Sequence, residues 1–204
     1  LTHVRRLEKI QKDFVGNVSH ELKTPVTSLL GFAETLLDGA KDDPELTAEF
    51  LTIMQNDAKR LQRLIQDIIE LSKDSDDLAE DRQTIEINYF LHQQIELYQH
   101  LLREKQITVS IEGIENCFYQ TRLTFFQPII KNLFENAIQY SPEKSQIEIA
   151  YHLTDQLEIT VTDHGIGISK EDQKRIFERF YRVDKARARH SGGTGLGLAI
   201  VKEY

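Results

Sequence analysis

Residues Phe14–Pro25 read FVGNVSHELKTP. Apolar side chains recur through this stretch at Phe14, Val18 and Leu22, and outward from it at Val4, Leu7, Leu29, Phe32 and Leu36. Steps of mostly three, four and seven make a helical stripe, predicting a helix from Leu1 to about Asp38. Gly39 breaks the pattern, and Asp42-Asp43-Pro44 reads as a turn followed by a new helix start. A second stripe follows at Leu46, Phe50, Ile53, Met54, Leu61, Leu64, Ile65, Ile68 and Leu71. Two long amphipathic helices joined by a short turn make a helical hairpin. One hairpin buries little, whereas two of them from two chains make a four-helix bundle, so a homodimer is expected.

His20 stands off the stripe. It lies two residues from both Val18 and Leu22, a rotation of about 200° on a helix, so its imidazole is expected in solvent among Gly16, Asn17, Lys23 and Thr24. Glu21 follows directly. A carboxylate that accepts a hydrogen bond from one ring nitrogen makes the other a better nucleophile. Thr24 lies one turn on, with a hydroxyl able to orient a water near the same ring. Pro25 lacks an N–H and is expected to kink the helix just past the site. Taken alone, His20 reads more readily as an ordinary surface histidine.

From Asp74 to Asp81 the chain reads DSDDLAED, a solvated linker by composition. The period then changes. Thr84–Ile87 alternates like a strand, and Asn88 is placed to cap a helix from Tyr89 to Glu104. Strands are expected at 107–112 and 117–120, a helix from Leu123 to Tyr140, and a strand pair at 146–153 and 156–163. Short helices should begin at Ser169 and Thr194. This order predicts a two-layer α/β sandwich with helices on one face of a sheet.

Three further motifs lie in that second part. In NLFENAIQYSP (132–142), Asn132, Asn136 and Tyr140 recur every four residues and share a helical face. Amide oxygens at this spacing can hold a Mg²⁺ ion that keeps most of its waters and bridges to phosphates. DHGIGIS (163–169) follows a strand directly. A buried carboxylate at Asp163 could accept a hydrogen bond from an exocyclic amine, and Gly165 and Gly167 permit close backbone approach or positive φ. SGGTGLGLAIVK (191–202) opens a helix with four glycines, whose amides would face an anion. No strand precedes it as in a dinucleotide fold, and no Lys-Ser or Lys-Thr closes it as in a P-loop.

The 204 residues carry a net charge of −8, which argues against a general nucleic-acid binder. Yet Gly165–Gly192 holds eight basic and four acidic residues, a cationic island that suits a local anion site, although charge alone favours a solvated loop. No long apolar run spans a membrane. The single cysteine, Cys117, cannot form an internal disulfide, which suits a reducing compartment. The chain opens on Leu1 and stops at Tyr204 inside a helical run, and is read as part of a longer protein.

In their order, these motifs resemble the sensor histidine kinases of two-component signalling, with a leaning towards the phosphate-responsive subgroup. HELKTP (20–25) resembles that family's phosphoacceptor box, NLFENAIQYSP its N box and DHGIGIS its first glycine box. IFERFYR (176–182) resembles its phenylalanine box and GGTGLGLAIVK its second glycine box. The opening, 1–14, resembles the exit from a sensory PAS-type module. The resemblance implies a dimerisation and phosphotransfer hairpin over 1–73, a linker over 74–83 and an ATP-binding catalytic domain over 84–204. Members continue past Lys202 with further strands, so the catalytic domain is expected to be C-terminally incomplete.

By the same resemblance, His20 is phosphorylated from ATP, Glu21 is the base and Thr24 acts in dephosphorylating the partner. Asn136 is the Mg²⁺ ligand with Asn132 in support, and Tyr140 and Asp163 contact adenine beside Gly165 and Gly167. Arg182, Gly193, Thr194, Gly195, Leu196 and Gly197 handle the triphosphate, under a lid over 170–191. The implied partner is the receiver domain of a response regulator, whose aspartate takes the phosphoryl group. The implied setting is the cytoplasmic portion of a bacterial inner- or plasma-membrane protein, anchored by a segment outside this chain. Two positions depart from the pattern: Gln139 stands where Lys is common, and His164 where Asn or a small residue is common. Three other readings remain on the residues alone. Gln139 favours a dimeric scaffold with a degenerate nucleotide site. An ATP-gated ATPase of the same superfamily would lack the HELKTP helix. Thr24 suits an enzyme that mainly dephosphorylates its partner.

Overall fold

The computed structural model describes residues 2–73, 82–183 and 193–204. The acidic linker stretch 74–81 and the lid residues 184–191 lie outside the described residues. Two compact units emerge, one of Leu1–Ser72 with Glu178–Leu196 and one of Lys73–Phe177 with Gly197–Tyr204.

The first unit is built on the hairpin. Helix α1 (Thr2–Leu37) and helix α2 (Pro44–Leu71) are joined through Gly39 and a 3₁₀ turn at Ala40–Asp42. Gly39 has φ 125°, a conformation that favours glycine and ends α1 sharply. Asp43 then caps α2: its carboxylate accepts from the amides of Glu45 and Leu46, and Pro44 takes the first helical position, where a missing N–H costs nothing. Phe32 packs on Phe50 across the hairpin. α1 continues as helix through Pro25, which is buried on the inner face. Segment 178–196 adds Phe180 against Phe14, and the Arg179 guanidinium 5.0 Å above the same ring.

The second unit is the expected α/β arrangement. Strand β1 (Arg82–Glu86) pairs antiparallel with β3 (Phe118–Arg122). Strand β2 (Thr108–Glu112) runs parallel to β4 (Gln146–Leu153), which pairs antiparallel with β5 (Leu157–Asp163). Helix α3 (Ile87–Glu96), helix α4 (Gln99–Lys105) and helix α5 (Leu123–Tyr140) supply the other layer. The core joins Ile87, Leu91, Phe134 and Ile138 from the helices to Ile147, Ile149 and Tyr151 on β4. β4 alternates exposed and buried positions, as a half-buried strand must. Tyr98 packs edge-on to Phe134 and donates to Glu135. Burial, then the neighbouring Glu135 carboxylate, pushes its phenol well above the usual range.

Four local expectations change. The helix foreseen over 89–104 is two helices, interrupted at Leu97-Tyr98. Its cap is Glu86 rather than Asn88: the Glu86 carboxylate accepts from the amides of Asn88 and Tyr89. The helix expected from Ser169 is only a 3₁₀ turn at Asp172–Lys174, because the Ser169 hydroxyl and the Asp172 carboxylate tie the segment into a local turn. The last helix, α6 (Gly197–Glu203), starts three residues later than Thr194, since Gly195 at φ 75° cannot be helical.

Lys105 fixes the end of α5. Its ammonium donates to the carbonyls of Ile138, Gln139 and Ser141 at 2.7, 3.2 and 3.2 Å, satisfying acceptors that a helix end leaves open. Lys105→Met should therefore lower stability by about 1–3 kcal/mol in denaturant unfolding, with amide exchange rising first at 138–141.

Candidate functional site

On α1 the period of the helix separates two neighbours. His20 is exposed, whereas Glu21 turns inward among half-buried residues. The Glu21 carboxylate accepts from Arg60 Nη2 on α2 at 2.9 Å and from Arg182 Nη2 at 3.2 Å, both at Oε2. Arg60 is 8% exposed. Thr24, exposed one turn from His20, donates its hydroxyl to the His20 carbonyl at 3.2 Å. That bond holds the hydroxyl beside the His20 backbone.

Residues 178–183 and 193–196 meet the hairpin here, through Arg182 and Thr194. The backbone at Phe180 takes φ 65°, and its amide donates to the Gly195 carbonyl at 2.8 Å. A Cβ on Gly195 would lie 3.0 Å from the Phe180 backbone and 3.2 Å from Arg182 Nε, so glycine allows residues 193–196 to touch residues 180–182. Thr194, buried, donates to the Asp67 carboxylate at 2.5 Å and accepts from the Leu196 amide. Leu196 is fully buried and Gly193 half-buried. Within the first unit Arg182 thus meets Glu21 and Thr194 meets Asp67 of the hairpin, while Gly195 and Leu196 contact Phe180 and Thr194.

The second unit gathers the remaining candidates along α5. Asn132 is buried, and its amide donates to the Pro128 carbonyl at 2.8 Å. A Cβ on Gly197 would stand 2.6 Å from Asn132 Oδ1, so the start of α6 packs directly on that amide. One turn on, the half-buried Asn136 side chain makes no hydrogen bond among the described residues, leaving its oxygen available to a cation. Tyr140, 46% exposed, closes the row. Asp163 is exposed rather than buried, and its Oδ1 accepts from the Gly165 amide at 2.8 Å. Its other oxygen faces no partner among the described residues.

Gly165 ties the loop to α5. A Cβ there would lie 2.5 Å from the Tyr140 carbonyl and 2.7 Å from Asp163 Oδ1. Gly167 has open space around it but φ 69°. His164 reaches Glu148 on β4 at 3.6 Å, with both side chains in solvent. Among the described residues, no helix is long and apolar enough to cross a membrane.

Sequence reasoning did not single out Arg60 or Asp67. Their signal was present: 46, 50, 53, 57, 60, 64, 67 and 71 alternate by four and three, so both charges occupy stripe positions. Lys105 had no comparable signal, since its partners are carbonyls set by the α4–α5 geometry.

Two domain families match the chain. The His Kinase A (phospho-acceptor) domain matches residues 10–76, and the histidine kinase-, DNA gyrase B- and HSP90-like ATPase matches residues 121–204. The sensor histidine kinase WalK of Bacillus subtilis is 37% identical over 217 residues, covering 100% of this chain and 34% of that protein. The sensor-like histidine kinase SenX3 of Mycolicibacterium smegmatis is 40% identical over 199 residues, covering 97% of this chain and 52% of that protein. The chain thus spans about a third to a half of the length of these curated relatives. Among solved structures, the Acinetobacter baumannii histidine kinase AdeS aligns with a TM-score of 0.70 at 24% identity, over 90% of this chain and 84% of that one. The histidine kinase ThkA in complex with the response regulator TrrA aligns with a TM-score of 0.73 at 23% identity, over 87% and 53%. At these identities the likeness of the structures concerns the fold.

The two loop glycines should respond differently to substitution. Gly165→Ala should destabilise the second unit by about 1–3 kcal/mol through overpacking, whereas Gly167→Asn should be close to neutral because Asn tolerates positive φ. Denaturant midpoints of the two variants check this.

Proposed function

The chain belongs to the sensor histidine kinases, and from that premise we propose that it autophosphorylates His20 from ATP and passes the phosphoryl group to an aspartate on a response-regulator receiver domain. The observation that carries the reading is His20 itself. It is exposed on α1 with a carboxylate at the next position, in a chain whose second unit aligns Asn132, Asn136 and Tyr140 on one face of a single helix.

A ring nitrogen of His20 attacks the γ-phosphorus of ATP in line. The new N–P bond forms as the bond to the bridging oxygen breaks, and ADP leaves. Glu21 takes the ring proton. Little covalent work falls to the protein, so positioning and charge neutralisation dominate. Asn136, with its uncommitted amide oxygen, is the proposed ligand for Mg²⁺, supported by Asn132; such an ion would supply charge neutralisation for the phosphoryl group in transfer. Tyr140 and the outward oxygen of Asp163 are assigned to adenine beside Gly165 and Gly167. Arg182, Gly193, Thr194, Gly195, Leu196 and Gly197 are assigned to the triphosphate. The domain division 1–73, 74–83 and 84–204 is proposed on the same footing.

A homodimer is proposed because the hairpin leaves a second apolar set uncovered: Val26, Leu30, Leu37, Leu51, Ile65 and Ile69 are all more than two-fifths exposed. A second hairpin would cover such a set in a four-helix bundle. We also assign the chain to the cytoplasmic side of a membrane-anchored protein, by analogy with the sensor kinases it resembles.

Two experiments test this. With γ-labelled ATP and Mg²⁺, wild-type protein should gain acid-labile label, and His20→Ala should gain none. Label surviving in His20→Ala would place the acceptor elsewhere. We further assign Thr24 to dephosphorylation of the partner. Thr24→Ala should slow loss of phosphate from the phosphorylated regulator tenfold or more and leave His20 labelling intact; a parallel fall in both activities would remove that role.

A further inference from the structure

Arg60 occupies a place in α2 that a hydrophobic residue would ordinarily fill. It follows Ile53 and Asp57 and precedes Leu64 on the inner stripe, and Leu64 is 2% exposed. A guanidinium buried this deeply is costly unless a matched anion meets it. Among the described residues its one partner is Glu21, across the hairpin at 2.9 Å.

The geometry of that contact is selective. Arg60 and Arg182 both donate to Oε2 of Glu21, while Oε1 makes no hydrogen bond among the described residues. Two cations therefore hold one oxygen, and the other is committed to no partner among the described residues. A carboxylate on a flexible Glu side chain samples many rotamers; one tethered at a single oxygen presents the other over a narrow range.

We propose that Arg60 is a positioning residue for phosphoryl transfer, acting through Glu21 by holding its Oε2 so that Oε1 is presented to the His20 imidazole. This rests on the reading of Glu21 as the base for His20. A plain structural strut between α1 and α2 would predict loss of stability alone, with no dependence on the chemistry of residue 21.

A double-mutant cycle on the whole chain separates the two. The rate of His20 labelling is followed against ATP concentration for wild type, Arg60→Met, Arg60→Lys, Glu21→Gln and Glu21→Gln/Arg60→Met, at a temperature well below the melting point of each. Arg60→Met should lower the maximal rate about tenfold or more with the KM for ATP within about twofold, and Arg60→Lys should recover most of the loss. On the Glu21→Gln background, Arg60→Met should have no further effect on the rate. Equal slowing on both backgrounds, or an unchanged rate in Arg60→Met, overturns the proposal while leaving the kinase reading in place. If Arg60→Met does not fold, Arg60→Lys carries the cycle: a slowed rate on the native background and none on Glu21→Gln is the expected pattern, and a slowing shared by both overturns it. A wild-type chain that takes no label overturns the kinase reading, and this inference with it.

Discussion

A buried arginine inside a two-helix hairpin constrains everything around His20. Arg60 is about nine-tenths buried, so an anion must come to it, and the residue that does so is Glu21 on the facing helix. Successive residues on a helix diverge by about 100°, so fixing Glu21 inward turns His20 outward. The phosphoacceptor candidate is exposed because its neighbour is held. The same pairing sets the register of α1 against α2, which the apolar stripe alone would specify only to within one helical turn.

The second unit depends on an equivalent kind of constraint at backbone level. Gly165 and Gly197 approach α5 so closely that a single carbon would collide, one with the Tyr140 carbonyl and the other with the Asn132 amide. These contacts bring the strand-end loop and the start of α6 to the face that carries Asn136. Lys105 holds the C-terminal end of the same helix, beside Tyr140, by its carbonyls. Three elements distant in sequence are thereby referred to one helix, and α5 is the element on which their alignment depends.

Much of this was legible in the residues. The hairpin, the turn at Gly39, the bounds of α5 and the β4–β5 pair followed from period and turn chemistry, because each is dictated locally. The break at Leu97-Tyr98 carries no Gly or Pro and so left no mark in the sequence. Ser169 and Asp172 looked like a helix start, but their side chains satisfy one turn and no apolar stripe extends it. The Asp163 carboxylate was expected in the interior; at a strand end whose next residues form a tight glycine turn, it lies instead in solvent and bonds the turn amide. Arg60 and Asp67 were visible only to a reading that asked why charges sit on stripe positions.

The two arginines on Glu21 are not equivalent. Arg60 lies on the facing helix with Glu21 as its one partner among the described residues, whereas Arg182 comes from outside the helix pair and makes further contacts. Withdrawing Arg182 would leave a balanced Arg60–Glu21 pair inside the hairpin. Withdrawing Arg60 would leave a buried stripe position without its cation and Glu21 tied to a residue outside the helix pair. Arg60 is therefore the member of the cluster on which the pairing across the two helices depends.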